Sequence, residues 1–180
     1  MKAKSILLAF TMQVKKCDMS RNRFNHLTCS LARALDQAGD WWTFLIVRDA
    51  LRGIESFDAF QASLGIASNI LAARLKQLCE DGLLSRARGP SDGRRAVYTL
   101  TPKGAALAPA LVALMQLGDE WISGPGNEPI ILRDRRSGVP LRRLKLQAGA
   151  TTVSAEQLDF TLGPGADEGM RRRSRRPSKR

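Results

Sequence analysis

The punctuation between Cys29 and Ile122 constrains this chain more than any other feature. Glycines that stop helices alternate with polar residues that start them: Gly39 precedes Asp40, Gly53 precedes Ser56, and Gly65 precedes Ser68. Glycine adopts the left-handed conformation that closes a helix, and Asp or Ser side chains accept from the orphan N–H groups that open one. Leu31, Ala34, Leu35 and Ala38 have the spacing of one helical face. Trp41 to Leu51 is the most apolar segment and predicts a central buried helix. A short third helix from Ser56 carries Phe57, Phe60 and Leu64. A fourth, from about Ser68 to Asp81, places Ile70, Leu71, Leu75 and Leu78 in a stripe before Gly82 stops it.

The turn between the third and fourth helices is short and contains Gly65, which is the chemistry of a helix-turn-helix. Two strand-like runs follow, 83–88 and 95–100, around Gly89-Pro90-Ser91-Asp92-Gly93. They predict a β-hairpin. Thr101-Pro102 then caps a last helix with Leu107, Leu111, Leu114, Gly118 and Trp121 along one face, kinked at Pro109 or starting late near Ala110. The fold class expected is mainly α with a small β-hairpin wing: a winged helix-turn-helix with a C-terminal dimerisation helix.

The flanks differ from this segment. The chain has 180 residues and a net charge of +12. Residues 1–28 carry six Lys/Arg against one acid, residues 29–121 ten of each, and residues 122–180 thirteen against six. The basic excess therefore sits outside the segment that looks folded, and bulk charge by itself supports only non-specific attraction to phosphate. The organisation expected is a basic arm over 1–28, a DNA-binding domain over 29–122, a small β-hairpin extension over 123–162 and a disordered basic tail over 163–180. In the extension, 130–134 and 139–146 are the expected strands around Arg135-Arg136-Ser137-Gly138. Seven bases among the last ten residues carry the tail reading.

Lys2, Lys4 and the apolar run Ile6–Phe10 look superficially like the start of a secretory signal. However, Gln13, Lys15 and Lys16 follow, with no small-residue cleavage site before Cys17. Met19 is an alternative start, making the first 18 residues an upstream extension. No apolar run is long enough to span a bilayer. Cys17, Cys29 and Cys79 are widely spaced and odd in number, and His26 is the single histidine. Neither a disulfide framework nor a zinc site is expected, and reduced thiols are. A glycine-rich phosphate loop, HExxH and GxSxG are all missing, so no catalytic residue, cofactor or metal is assigned.

Cys29-Ser30-Leu31-Ala32-Arg33-Ala34-Leu35, then Gly39-Asp40-Trp41-Trp42-Thr43 and Leu45–Leu51, together resemble the opening of HxlR-type regulators. Gly65–Leu78 with Gly82-Leu83 resembles their recognition helix and its exit. Asp92-Gly93-Arg94-Arg95, Tyr98–Thr101 and Lys103-Gly104 resemble their wing. The resemblance covers about 29–122. It implies a cytoplasmic, sequence-specific transcriptional regulator, commonly a repressor, acting as a homodimer through its first and last helices on a pseudo-palindromic duplex operator. It names no inducer. Two departures stand out: Trp41 occupies a position where many members are basic, and no cysteine follows Cys79, so the zinc-ribbon spacing of some members is missing.

Within this frame, Ser68, Asn69, Ala72 and Ala73 offer two polar groups and two small ones near the start of the reading helix, and Asn69 can pair bidentately with adenine. The alternative is that Ser68 and Asn69 only cap the helix. Arg74 either reaches a phosphate or pairs with Asp81 or an acid on a neighbouring helix. Arg86, Arg88, Arg94 and Arg95 bracket the wing and suit phosphate contacts. Residues 74–95 carry six bases and three acids, while 36–58 carry two and five, so the neutral domain reads as polarised. The resemblance implies a thiol sensor at Cys29, which is otherwise a small residue in a helix interface, and modulation by a small ligand is the alternative. Leu111, Leu114 and Trp121 are the expected dimer residues. The rival reading from another class is a non-enzymatic interaction module, with a winged-helix dimer as scaffold and the basic tail recruiting an acidic partner.

Overall fold

Asp40 accepts a hydrogen bond from the Trp42 N–H at 2.8 Å, opening the central helix at the expected position. A computed structural model describes residues 29–89 and 95–174. The elements are α1 (Ser30–Ala38), α2 (Trp41–Leu51), α3 (Phe57–Leu64), α4 (Ser68–Glu80), β1 (Leu84–Arg88), β2 (Ala96–Leu100), α5 (Pro102–Ala105) and α6 (Ala108–Gly118). A π-helical turn, Asp119–Ser123, continues α6. Beyond it lie β3 (Leu146–Ala148), β4 (Thr151–Val153), a 3-10 turn at Ala155–Gln157, and α7 (Glu168–Ser174).

The core is where the apolar stripes meet. Ile46 from α2, Phe60 from α3, and Leu71, Leu75 and Leu78 from α4 close with Leu83, Leu84 and Tyr98 of the hairpin into one buried cluster. Ser56 accepts from the Ala59 N–H at 3.3 Å and caps α3. Gly65 ends α3 at φ +60°, so the chain reverses into α4 within three residues. This is the helix-turn-helix, and β1 and β2 pair antiparallel behind it as the wing, with Leu84 opposite Leu100 and Arg88 opposite Ala96.

The wing is tied to the domain at its base. Tyr98 N–H donates to the Glu55 carbonyl at 2.8 Å, and Ser56 bridges to Val97. The Thr101 hydroxyl donates to the Gly82 carbonyl at 2.7 Å while accepting from the Gly104 N–H at 3.1 Å. Lys103 Nζ donates to the Asp81 carbonyl at 2.6 Å, so a cation meets the carbonyl end of α4. Gly104 packs so closely that a Cβ there would lie 2.1 Å from the Leu83 carbonyl oxygen; only glycine fits.

Three expectations change. The single last helix is two: α5 is one turn, and α6 restarts at Ala108 with Pro109 in its first turn, where a missing N–H costs nothing. The hairpin expected over 130–146 is reduced to one bridge, Arg133 to Pro140, flanked by hydrogen bonds from Asp134 N–H to Val139 and from Leu141 N–H to Leu132, each 2.8 Å. Pro140 has no N–H to extend a ladder. The regular hairpin of the extension is instead β3–β4, where Ala148 faces Thr151. Thirdly, the tail expected to be disordered from 163 contains α7, opened by Asp167 accepting from the Met170 N–H at 2.7 Å and braced by an Arg172–Glu168 pair. The basic arm, with Cys17, Met19 and His26, lies outside the described residues, as do Arg94 and residues 175–180. Among the described residues, no helix is long and apolar enough to cross a membrane.

Candidate nucleic-acid interface

The face of α4 opposite its buried Leu71–Leu75–Leu78 stripe is the candidate reading surface. Ser68, Asn69, Ala72 and Ala73 are all exposed there, at the spacing of one helical face. The N-cap of α4 is Ala67, which has no side chain able to cap. Ser68 and Asn69 stand one and two positions inside the helix, and neither serves as its N-cap. Capping therefore does not account for them. The first turn presents N–H groups that suit an anionic oxygen.

Arg86 and Arg88 lie two residues apart on β1 and so share one face of the wing, opposite Tyr98 and Ala96. Both are exposed, as is Arg95 at the foot of β2, and none of the three makes an ion pair among the described residues. Arg86 also acts electrostatically on Cys79, at the end of α4. Burial raises the Cys79 thiol above its ordinary pKa; the Arg86 charge lowers it, and Glu80 raises it. Cys79 is thus a protonated packing residue at neutral pH rather than a ready nucleophile.

Arg74 belongs elsewhere. Its guanidinium lies 2.6 Å from the second oxygen of Asp40, and both side chains are largely buried. The partner is the N-cap of α2 and not Asp81, which instead accepts from Gln77 Nε2 at 3.1 Å. A phosphate would have to break this pair, so Arg74 leaves the set of surface cations.

The expected polarisation is softened in the same way. Asp49 is fully buried, with Oδ1 held by Arg48 at 2.9 Å and Arg52 at 3.5 Å. With Asp40 engaged by Arg74, two of the acids in 36–58 are internal. The basic end of the domain survives through Arg86, Arg88 and Arg95. The Asp49 pairs are local to α2 and its end, whereas the Asp40–Arg74 pair joins two helices and is the neighbouring-helix partner that the sequence allowed for Arg74.

Leu111 is corrected as well. It is 7% exposed and packs inward from α6, in the region where α6 contacts α2. Leu114 and Trp121 face outward, Trp121 being 76% exposed. Leu111 and Leu114 lie three residues apart on the same helix, the first at the edge that meets the core and the second at the surface. On α1, Leu31 and Leu35 are exposed too, and Cys29 stands exposed at the N-cap.

A family model, HxlR-like helix-turn-helix, matches residues 38–125. The uncharacterized HTH-type transcriptional regulator Rv3095 of Mycobacterium tuberculosis is 42% identical over 109 residues, covering 61% of this chain and 69% of that protein. The chain belongs to the HxlR-like helix-turn-helix family. It is a transcriptional regulator with a helix-turn-helix DNA-binding domain. The HTH-type regulator YvaP of Bacillus subtilis is 36% identical to this HxlR-like chain over 91 residues, covering 50% of it and 84% of YvaP. Among solved structures, PA1607, a candidate transcription factor, superimposes with a TM-score of 0.69 at 44% identity, covering 74% of this chain and 94% of its own. PA1374 from Pseudomonas aeruginosa, another candidate transcription factor, gives 0.58 at 38%, covering 81% and 99%. Both matches are longer than the family segment and reach into the extension that follows this HxlR-like domain.

Proposed function

We propose that this protein is a sequence-specific repressor that binds a two-fold-related duplex operator as a homodimer in the cytoplasm. The observation that carries the reading is the outward face of α4, Ser68–Asn69–Ala72–Ala73, beside three exposed wing arginines that make no ion pair among the described residues. Small residues let the helix approach base edges, and Asn69 is the side chain able to read one, through adenine N6 and N7. Arg86, Arg88 and Arg95 contact the flanking backbone, and Arg94, at the wing tip by sequence, joins them. Such contacts set affinity and register, while the helix sets choice.

The dimer forms through the outward faces of α1 and α6, where Leu31, Leu35, Leu114 and Trp121 are apolar and exposed. Two recognition helices related by a two-fold axis then reach half-sites about one helical turn apart, roughly 34 Å. Occupancy of the operator blocks transcription. Cys29, exposed at the N-cap of α1, adjoins this dimer face, so an adduct there alters the spacing of the reading helices and releases DNA.

The test is quantitative binding of the full chain to duplexes carrying a selected site and to scrambled controls, for wild type and Asn69→Ala. The variant is expected to lose discrimination while keeping its affinity for scrambled duplex. Equal binding of wild type to both duplexes would refute the reading.

A further inference from the structure

A cleft of about 440 Å³ lies between α6 with its π turn and residues 125–143, and it shares no residue with the candidate nucleic-acid interface. This is the size of a cleft that takes a small organic molecule. Met115, Ile130, Leu132 and Leu141 supply its apolar walls. Its two sides are tied together along one edge. Gln116 uses both ends of its amide, accepting from the Leu144 N–H at 2.8 Å and donating to the Arg142 carbonyl at 3.2 Å, and Arg143 pairs with Glu120. The shape of the cleft is thus set within one protomer.

The charge of the lining is uneven. Asp119, Glu120 and Glu128 line the cleft together with Arg143. Arg143 is committed to Glu120, which leaves Asp119 and Glu128, and neither makes an ion pair among the described residues. Asp119 is half-buried. Glu128 accepts from the Gly126 N–H at 3.0 Å, and this bond, with one from its own N–H, holds its carboxyl below the ordinary range, so it is ionised at neutral pH. A carboxylate partly withdrawn from water beside apolar walls costs free energy that a cation offsets. Among the described residues, no three acidic, histidine or cysteine side chains gather closely enough to hold a metal ion. Charge spread beside apolar surface suits an organic cation instead.

We propose that this cleft binds a small organic cation, a molecule with a compact apolar body and a protonated amine. The body lies on Met115, Ile130, Leu132 and Leu141, and the ammonium group is drawn to the Asp119 and Glu128 carboxylates. An anion of the same shape meets two like charges, and a neutral molecule leaves both carboxylates without a cation. The site stands independently of the dimer and the DNA reading proposed above, since neither of those surfaces uses its residues.

Isothermal titration calorimetry of the full chain with three probes of one shape tests this: diphenylpropylamine, diphenylpropanol and diphenylpropionate. The amine is expected to bind about tenfold more tightly than the alcohol, with the acid weaker still. Asp119→Asn with Glu128→Gln keeps the shape of the cleft and removes its surplus charge. This pair should cut the amine's advantage to about twofold or less and leave the alcohol unchanged. Leu141→Trp, at a half-exposed position, fills the cleft and should weaken amine and alcohol alike. Circular dichroism of each variant confirms that it is folded. No binding of the amine at about 1 mM would overturn the proposal. So would equal affinity for amine and alcohol, or amine binding that both variants leave unchanged, which would place it elsewhere on the surface.

Discussion

Arg74 and Asp40 join the recognition helix to the central helix: the Asp40 carboxylate accepts from the Trp42 N–H with one oxygen at 2.8 Å and meets the Arg74 guanidinium with the other at 2.6 Å. One side chain therefore starts α2 and fixes α4 against it. The placement of the candidate reading face of α4 thus depends on a residue at the start of another helix.

Asp40→Ala is expected to destabilise the protein by about 2 kcal/mol or more, combining a lost N-cap with a largely buried, unpaired Arg74. Asp40→Asn keeps a capping oxygen and is expected to lose roughly half as much. Urea unfolding of both variants checks this; equal losses would mean the cap contributes nothing, and an unaffected Asp40→Asn would mean the ion pair contributes nothing.

Arg74 and the wing arginines separate by salt dependence. Arg86→Ala, Arg88→Ala and Arg95→Ala should each weaken binding to every duplex alike. Each should also flatten the slope of log K against log salt by about 0.9 for every phosphate left without its cation. Arg74→Met should lower the unfolding midpoint and leave that slope unchanged. A reduced slope for Arg74→Met would return it to the DNA surface.

Most of the domain was legible in sequence because its punctuation is local. Asp40, Ser56, Gly65 and Thr101 act within a few residues of their own position, and each does the expected work. The failures share a cause. The choice of Asp40 over Asp81 as the partner of Arg74 and the inward turn of Leu111 depend on how helices rotate against one another, which periodicity does not encode. The extension's hairpin lies elsewhere than its alternating apolar and basic residues suggest, because Pro140 withholds the N–H that a ladder needs. For the candidate reading face, the residues alone offered two roles for Ser68 and Asn69; the helix starts at Ser68 behind Ala67, which places both inside it.

Gly104→Ala is expected to cost about 3 kcal/mol, because the added methyl meets the Leu83 backbone, which the wing holds in place. Thermal unfolding measures it. A drop of less than about 1 kcal/mol would show that the wing base yields easily.

The two described thiols should differ in rate. Cys29 is exposed, whereas Cys79 is partly buried and its thiol is held above its ordinary pKa, which leaves less thiolate at neutral pH. Site-resolved mass spectrometry after limited alkylation should find Cys29 modified first, with Cys79 gaining on it as pH rises. DNA release by a thiol-reactive compound should vanish in Cys29→Ser; release unchanged in that variant would eliminate the sensor.

The most direct test of the regulator reading is selection of bound sequences from a pool of random duplexes at fixed salt, using the full chain. The account predicts enrichment of a two-fold-related motif with half-sites about one helical turn apart, lost in Asn69→Ala. Uniform, salt-sensitive retention of every duplex, with no motif emerging, would contradict it.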